Sequence, residues 1–115
     1  MLRLAILFPG QGAQYIGMGR DLAREFAVAR EVFQRADDAL GVKLSRICFA
    51  GEQPDLDRTE ITQPAVLTVS IAVWEVLKQK GVNAEIAAGL SLGEYSALVA
   101  AGAIDLETGV RLVAG

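Results

Sequence analysis

The sequence predicts an α/β fold that contains a pair of parallel strands. Two short apolar segments, residues 2–8 and 86–89, each end at a glycine-bearing turn, as buried strands do. Segments of helical composition lie between them, and another helix follows the second strand directly. This order of strand, helices, strand, sharp turn and helix is typical of α/β proteins with parallel strands.

The expected elements follow from local composition and turn residues. The first part of the chain is expected to form a strand at 2–8, a loop at 10–14, and helices at 21–26 and 31–40, the second of which stops at Gly41. An apolar segment of uncertain type at 44–49 and a polar acidic loop at 51–59 follow, and then a long helix that begins at its N-cap Thr62 and is closed by Gly81. The last part is expected to form a strand at 86–89, a helix at 92–101 that stops at Gly102, and a helix at 106–115 capped by Asp105.

The long helix is apolar on nearly every side, from Val66 to Leu77. Such a helix belongs in the middle of a fold rather than on its surface. Trp74 and the aliphatic residues around it are therefore expected in the core. Two strands alone are too few for a stable parallel sheet, so residues 1–115 are expected to be the front part of one larger domain.

Composition and charge narrow the class of protein. Hydrophobic residues make up 52% of the 115 residues and charged residues 22%, which predicts a globular chain with a core. The net charge of −3 comes without charged blocks, and no basic footprint for nucleic acid is present. An acidic partner would need a local basic patch, for which the candidates are Arg3, Arg20, Arg24, Arg30, Arg35 and Lys43.

A single cysteine, Cys48, excludes an internal disulfide and fits a reducing compartment. Its apolar neighbours favour a buried, inert thiol over a reactive one. The first residues lack the layout of a signal peptide, and the longest apolar run, residues 64–74, is too short to span a membrane. A cytoplasmic protein without a membrane partner is expected.

Ser91 is the strongest candidate for chemistry. It lies in Gly89-Leu90-Ser91-Leu92-Gly93, between a predicted strand and a predicted helix. A nucleophile elbow requires small residues two before and two after the serine, because that turn packs closely. The N–H of Leu92, at the positive end of the helix, is then a donor for an oxyanion. The alternative is a plain turn serine.

Two glutamines are the other candidates. Gln11 follows the first strand, and loops after parallel strands share one edge of the sheet, so Gln11 or a neighbouring N–H is expected to reach the oxyanion. The alternative is a simple glycine turn, and the G-x-G-x-x-G spacing of dinucleotide sites fails at Tyr15. Gln63 is either a polar group near a pocket or a helper at the start of the long helix. No metal site is predicted.

The chain contains no histidine, although histidine is the commonest base for a serine nucleophile.

Three segments occur together in a specific order: residues 8–14 (FPGQGAQ), 62–65 (TQPA) and 89–97 (GLSLGEYSA). In this order and spacing, the chain resembles the malonyl-CoA:acyl-carrier-protein transacylase family and the related acyltransferase domains of fatty acid and polyketide synthases. The resemblance covers essentially the whole chain.

The resemblance implies an α/β-hydrolase-like acyltransferase domain that works in fatty acid biosynthesis by ping-pong acyl transfer. Ser91 would take the malonyl group from malonyl-CoA and pass it to the phosphopantetheine thiol of acyl carrier protein, without a bound cofactor. Gln11 and the N–H of Leu92 would form the oxyanion hole, and Gln63 would line the acyl pocket.

The chain departs from the family pattern at three points. Leu90 replaces the histidine that precedes the family's nucleophile. The family's catalytic histidine, and the arginine that binds the malonyl carboxylate, lie beyond Gly115; Arg111 is not that arginine by position. The 115 residues alone are therefore expected to be inactive. An acyltransferase for another acyl-CoA, a thioester hydrolase with a similar elbow, and a non-catalytic truncated chain stay as alternatives.

Overall fold

The computed structural model describes residues 5–84, 86–89 and 91–115. It contains two parallel strands, β1 (Ala5–Phe8) and β2 (Ile86–Gly89), paired in the register Ala5 opposite Ile86 to Phe8 opposite Gly89. The predicted α/β class and parallel pair are confirmed. Residues 2–4 of the first predicted strand lie outside the described residues.

Seven helices occur in the described part of the chain: α1 (Arg20–Glu25), α2 (Ala27–Leu40), α3 (Leu44–Ala50), α4 (Gln53–Leu56), α5 (Thr59–Gln79), α6 (Leu92–Ala100) and α7 (Leu106–Ala114). The predicted stops are confirmed at Gly41 and Gly102, which adopt the left-handed backbone with φ of 71° and 80°. The Asp105 side chain accepts a 2.7 Å hydrogen bond from the N–H of Thr108 and caps α7 as predicted.

The structure assigns one segment that the sequence left open and corrects two predictions. The segment of uncertain type at 44–49 is the helix α3, whose second N–H, at Ser45, donates to the buried carboxylate of Asp37 from α2. The predicted loop at 51–59 contains the short helix α4, with Pro54 in its first turn, where a missing N–H costs no hydrogen bond. The helix at 31–40 begins earlier, at Ala27.

Thr62 is not the N-cap of the long helix, as the sequence predicted. Helix α5 begins at Thr59 behind an extended Arg58, and Thr62 lies fully buried inside its first turns. The Thr62 hydroxyl donates to the carbonyl of Leu56 at the end of α4. A hydroxyl that would suit an N-cap thus connects the end of α4 to the first turns of α5.

Helix α5 is the centre of the fold, as its apolar composition predicted. It packs against α2, α6 and α7, and Leu67 and Ala72 from its middle are fully buried. By length and composition alone it would also suit a membrane span, yet 56% of its most apolar window is buried inside the fold. That burial is typical of a core helix.

One side of the strand pair is open. A groove of about 360 Å³ runs between β1 and the outer face of α5. In it the Leu7 side chain is 78% exposed and Val73 41% exposed, so the prediction that the long helix is buried all round fails at Val73. We call this feature, lined by residues 5–9 of β1 and by Val69, Ser70, Val73, Trp74 and Leu77 of α5, the β1 groove.

The open groove predicts uneven stability in the isolated 115 residues. Two paired strands bury little on their own, whereas the helices around α5 form a continuous core. Amide hydrogen exchange should therefore be at least about tenfold faster in β1 and β2 than in the middle of α5. Equal protection of strands and core helix, with one sharp reversible thermal transition, would contradict this expectation.

Candidate functional site

Ser91 occupies the sharp turn between β2 and α6. Its φ of 57° and ψ of −113° place it outside the regions that residues with a side chain normally adopt, and it is the only non-glycine residue with positive φ in the described part of the chain. A backbone of this kind costs on the order of 1–3 kcal/mol and persists only where the surroundings enforce it. The serine is exposed.

The two glycines that flank this turn permit its close packing. A Cβ at Gly89 would lie 2.6 Å from the Cα of Gly93, and real Cβ atoms do not approach backbone so closely. A Cβ at Gly93 would overlap the carbonyl oxygen of Phe8, at the end of β1, and lie 3.2 Å from its carbonyl carbon. The first turn of α6 therefore lies directly against the ends of both strands.

The Ser91 hydroxyl is not used to cap the helix that follows. Ser91 is the N-cap residue of α6, yet no side-chain capping bond forms; only its carbonyl accepts, from the N–H of Glu94 at 3.0 Å. Helix geometry leaves the N–H groups of Leu92 and Gly93 without carbonyl partners inside α6. Among the residues that the structure describes, the Ser91 hydroxyl has no hydrogen-bond partner, and it lies beside N–H donors at the positive end of a helix.

The loop that carries Gln11 lies at the same edge of the sheet as Ser91, as the parallel register requires. Its side chain, however, is directed to the α5 start, where Nε2 donates to Thr59 Oγ1 at 3.4 Å. The structure therefore brings the Gln11 loop and the Ser91 turn to one edge, but it does not aim the Gln11 side chain at the serine.

The loop has a second attachment, through Gln14. The N–H of Gly12 donates to Gln14 Oε1 at 2.8 Å, and Gln14 Nε2 donates to Asp57 Oδ1 at 3.0 Å. Gln53 Nε2 donates to the same oxygen at 2.8 Å, and these two bonds hold the pKa of Asp57 below its ordinary value. Nothing in the sequence distinguishes Asp57 and Thr59, because residues 51–59 have the composition of a polar loop.

Gln63 lies in the second turn of α5 and is half-buried. Because the helix begins at Thr59, the interpretation of Gln63 as a helper at the helix start is wrong. The other interpretation, a polar group near an acyl pocket, stays a prediction. Leu90, which carries the main departure from the family motif, lies outside the described residues.

The remaining candidates are engaged elsewhere. Arg111 of α7 donates to the carbonyl of Ala39 at 3.4 Å, on the α2 side of the fold. Cys48 is fully buried, as predicted, and burial, with a smaller contribution from Asp37, raises the pKa of its thiol to about 12. In the described ranges, no three metal-ligating side chains cluster.

Three of the candidate basic residues line one surface cavity of about 340 Å³, between α1, α2 and α3. They are Arg20, Arg24 and Arg30. Arg30 is held by the carbonyl oxygens of Ala23, at 2.7 Å, and Arg24, at 3.1 Å. Arg24 also lies 3.8 Å from Asp21, so acidic side chains offset part of this local charge.

Comparison with known proteins supports the reading of the motifs. Residues 6–115 match the acyl transferase domain family. The malonyl CoA-acyl carrier protein transacylases of Bacillus subtilis strain 168 and Escherichia coli K12 are 49% and 46% identical to the chain. Both alignments cover 98% of the chain but only 36% and 37% of the relatives, so the chain spans little more than a third of their length.

Solved structures agree with the sequence relatives. The malonyl CoA-acyl carrier protein transacylase of Clostridium perfringens matches with a TM-score of 0.94 and 47% identity, over 98% of this chain and 36% of that one. A malonyl-transacylase in complex with a type II PKS acyl-carrier protein matches with a TM-score of 0.93 and 46% identity, over 98% and 37%.

The close packing at the turn predicts that Gly93→Ala destabilises the fold, because its Cβ would meet backbone that has no room to move. We expect a loss of about 2–4 kcal/mol in the free energy of unfolding. Gly109→Ala is the matched control, since it also adds a methyl group inside a helix but meets the side chain of Val99. Denaturant unfolding of the complete protein measures both, and equal effects would contradict the prediction.

Proposed function

The chain belongs to the acyl transferase domain family, and we propose that the protein containing it transfers a malonyl group from malonyl-CoA to acyl carrier protein. The chain spans little more than a third of its relatives, so this proposal concerns the complete protein. The relatives' names supply the substrate and partner, and the geometry of the Ser91 turn supports the chemistry.

The observation that carries the proposal is the backbone of Ser91. A nucleophile elbow has a strained serine between a strand and a helix, with small residues two positions to either side. Ser91 has φ of 57° at the start of α6, and neither Gly89 nor Gly93 has space for a Cβ. A plain turn serine needs neither the strain nor the overlap. We therefore assign the nucleophile to Ser91.

The oxyanion hole is assigned to two backbone N–H groups, those of Leu92 and Gln11. The N–H of Leu92 belongs to the first turn of α6, where the helix dipole favours a negative oxygen. The Gln11 side chain is engaged by Thr59, which leaves its backbone N–H as the donor that the loop offers. Gln63, half-buried in the second turn of α5, keeps its proposed place beside the acyl group.

The reaction consists of two transfers at one oxygen atom. Ser91 Oγ attacks the malonyl thioester, its proton passes to a base, and the C–S bond breaks to release CoA as a thiol. The phosphopantetheine thiol of acyl carrier protein then attacks the acyl-serine ester and restores the hydroxyl. No cofactor takes part. The base and the arginine for the malonyl carboxylate are proposed to come from residues outside these 115, since the chain has no histidine and Arg111 is bound to Ala39.

The proposal that the domain continues beyond these 115 residues also accounts for the open β1 groove. We assign residues 1–115 to the N-terminal part of a single α/β-hydrolase-like domain, whose remaining part covers Leu7 and Val73. Covering that surface would remove two large apolar side chains from water and extend the two-stranded sheet. The proposed location is the cytoplasm, a reducing compartment that fits a chain with a single cysteine.

Acylation of Ser91 gives a direct test. Incubation of the complete protein with malonyl-CoA should add one malonyl group, which mass spectrometry of peptides locates at Ser91, and Ser91→Ala should abolish it. The 115 residues alone should show no transfer to acyl carrier protein. Acetyl-CoA serves as the control donor, because it lacks the carboxylate: faster loading from acetyl-CoA would favour an acyltransferase for another acyl group, and release of free malonate would favour a hydrolase.

Leu90 gives a second test, because the family motif has histidine at that position. In the complete protein, Leu90→His should raise the rate of Ser91 acylation, and Leu90→Ala is the control for loss of the leucine side chain alone. The rate is measured by quenched-flow labelling from malonyl-CoA. An unchanged rate in Leu90→His would show that the position tolerates leucine without loss.

A further inference from the structure

The loop that carries Gln11 has little of its own to fix its shape. Its internal backbone bond, from the N–H of Ala13 to the carbonyl of Gly10, is long at 3.4 Å. Gly12 has φ of 109° and open space around its Cα, and the side chains of Gln11 and Ala13 are exposed. A glycine loop of this kind samples many conformations unless something outside it holds it.

The attachment consists of two hydrogen bonds in series, of which the second reaches the carboxylate of Asp57. Gln14 accepts from the N–H of Gly12 at 2.8 Å and donates to Asp57 at 3.0 Å. The N–H of Gly12 neighbours Gln11 directly, so the bond fixes the peptide next to the proposed oxyanion donor. Bonds to an ionised acceptor are stronger than bonds between neutral groups.

Asp57 is exposed, and its neighbours in the chain hold it in place. It directly follows α4, its N–H donates to the carbonyl of Gln53 at 2.9 Å, and its carboxylate accepts from the Gln53 side chain at 2.8 Å. Leu56, immediately before it, is fully buried, and α5 begins two residues after it. The backbone at Asp57 is therefore anchored beside the central helix, and its exposed carboxylate, oriented by Gln53, connects that anchor to the loop.

We propose that Asp57 is a positioning residue for acyl transfer, which holds the Gln11 N–H in the oxyanion site through Gln14. This role rests on the proposed function, because it matters only if Gln11 donates to an oxyanion. Thr59 Oγ1, which accepts from the Gln11 side chain at 3.4 Å, assists from the start of α5. The carboxylate itself does not touch the substrate.

The role predicts a specific kinetic pattern in the complete protein. Loss of one oxyanion donor costs on the order of 10²–10³ in kcat, and a donor that is loosened rather than removed costs less, so Asp57→Ala should lower kcat about tenfold. KM for malonyl-CoA and the thermal midpoint should change little, because the loop lies outside the core. Asp57→Asn keeps an oxygen acceptor and should recover most of the lost rate.

Asp55→Ala is the matched control. Asp55 lies on the same short helix and is exposed, and among the described residues its side chain makes no hydrogen bond. A double-mutant cycle with Gln14→Ala tests the connection: the Asp57→Ala, Gln14→Ala double variant should be no slower than the slower single variant, since both substitutions break one chain of bonds.

A second measurement does not depend on turnover. Amide hydrogen exchange of residues 10–14 should be at least about fivefold faster in Asp57→Ala than in the unchanged protein or in Asp55→Ala. Equal exchange and equal kcat in the two aspartate variants would overturn the proposal, as would a fall in the thermal midpoint that accounts for the rate loss.

The failure of the proposed function and the failure of the positioning role give different results. If Ser91→Ala still became acylated, the proposed function would fail. If Ser91 were the acylated residue and Asp57→Ala had no effect, only the positioning role would fail.

Discussion

The close approach of three backbone segments at the end of the sheet is the constraint on which the candidate site depends. The start of α6 lies so near Gly89 and the carbonyl of Phe8 that no side chain fits between them at Gly89 or Gly93. This contact fixes where α6 begins, and the parallel register fixes which residues of the two strands lie opposite each other. Ser91 takes its strained backbone from that fit, because only residues 90 and 91 separate the end of β2 from the start of α6.

The core helix α5 supports the other side of the site. It packs against α2, α6 and α7, and its first turns are tied to α4 by the buried hydroxyl of Thr62. Asp57 and Thr59 lie at this junction, and both accept from side chains of the loop that follows β1. Two side-chain hydrogen bonds therefore attach the exposed glycine loop to the start of the central helix.

The chain contains only some of the groups that the proposed acyl transfer needs. The described residues supply a hydroxyl, helix N–H groups and a tethered loop, all of which orient and stabilise. The sequence has no histidine to accept the serine proton, and the Arg111 side chain donates to the carbonyl of Ala39 in α2. The relatives are almost three times as long as the matched span. Placing the nucleophile and oxyanion donors in one part of an acyltransferase, and the base in another, fits both facts.

Local sequence determined the elements whose signals are local. The strands 86–89 and 5–8, the stop at Gly41, the cap at Asp105 and the apolar helix around Leu67 were all predictable, because turn residues and hydrophobic patterning act over a few positions. The motif around Ser91 was also predictable, because Gly89 and Gly93 indicate a turn that is too closely packed for a side chain. The buried, unreactive character of Cys48 followed from its apolar neighbours.

Tertiary structure alone decided the rest. Thr62 has the chemistry of an N-cap, but burial between α4 and α5 makes it a donor to Leu56 instead. The Gln11 side chain points to Thr59, 48 residues away, and Gln14 reaches Asp57, 43 residues away. No local pattern encodes such pairs, because each partner is an ordinary polar residue in its own segment. Only the packing of α4 and α5 beside the strands brings them within hydrogen-bonding distance.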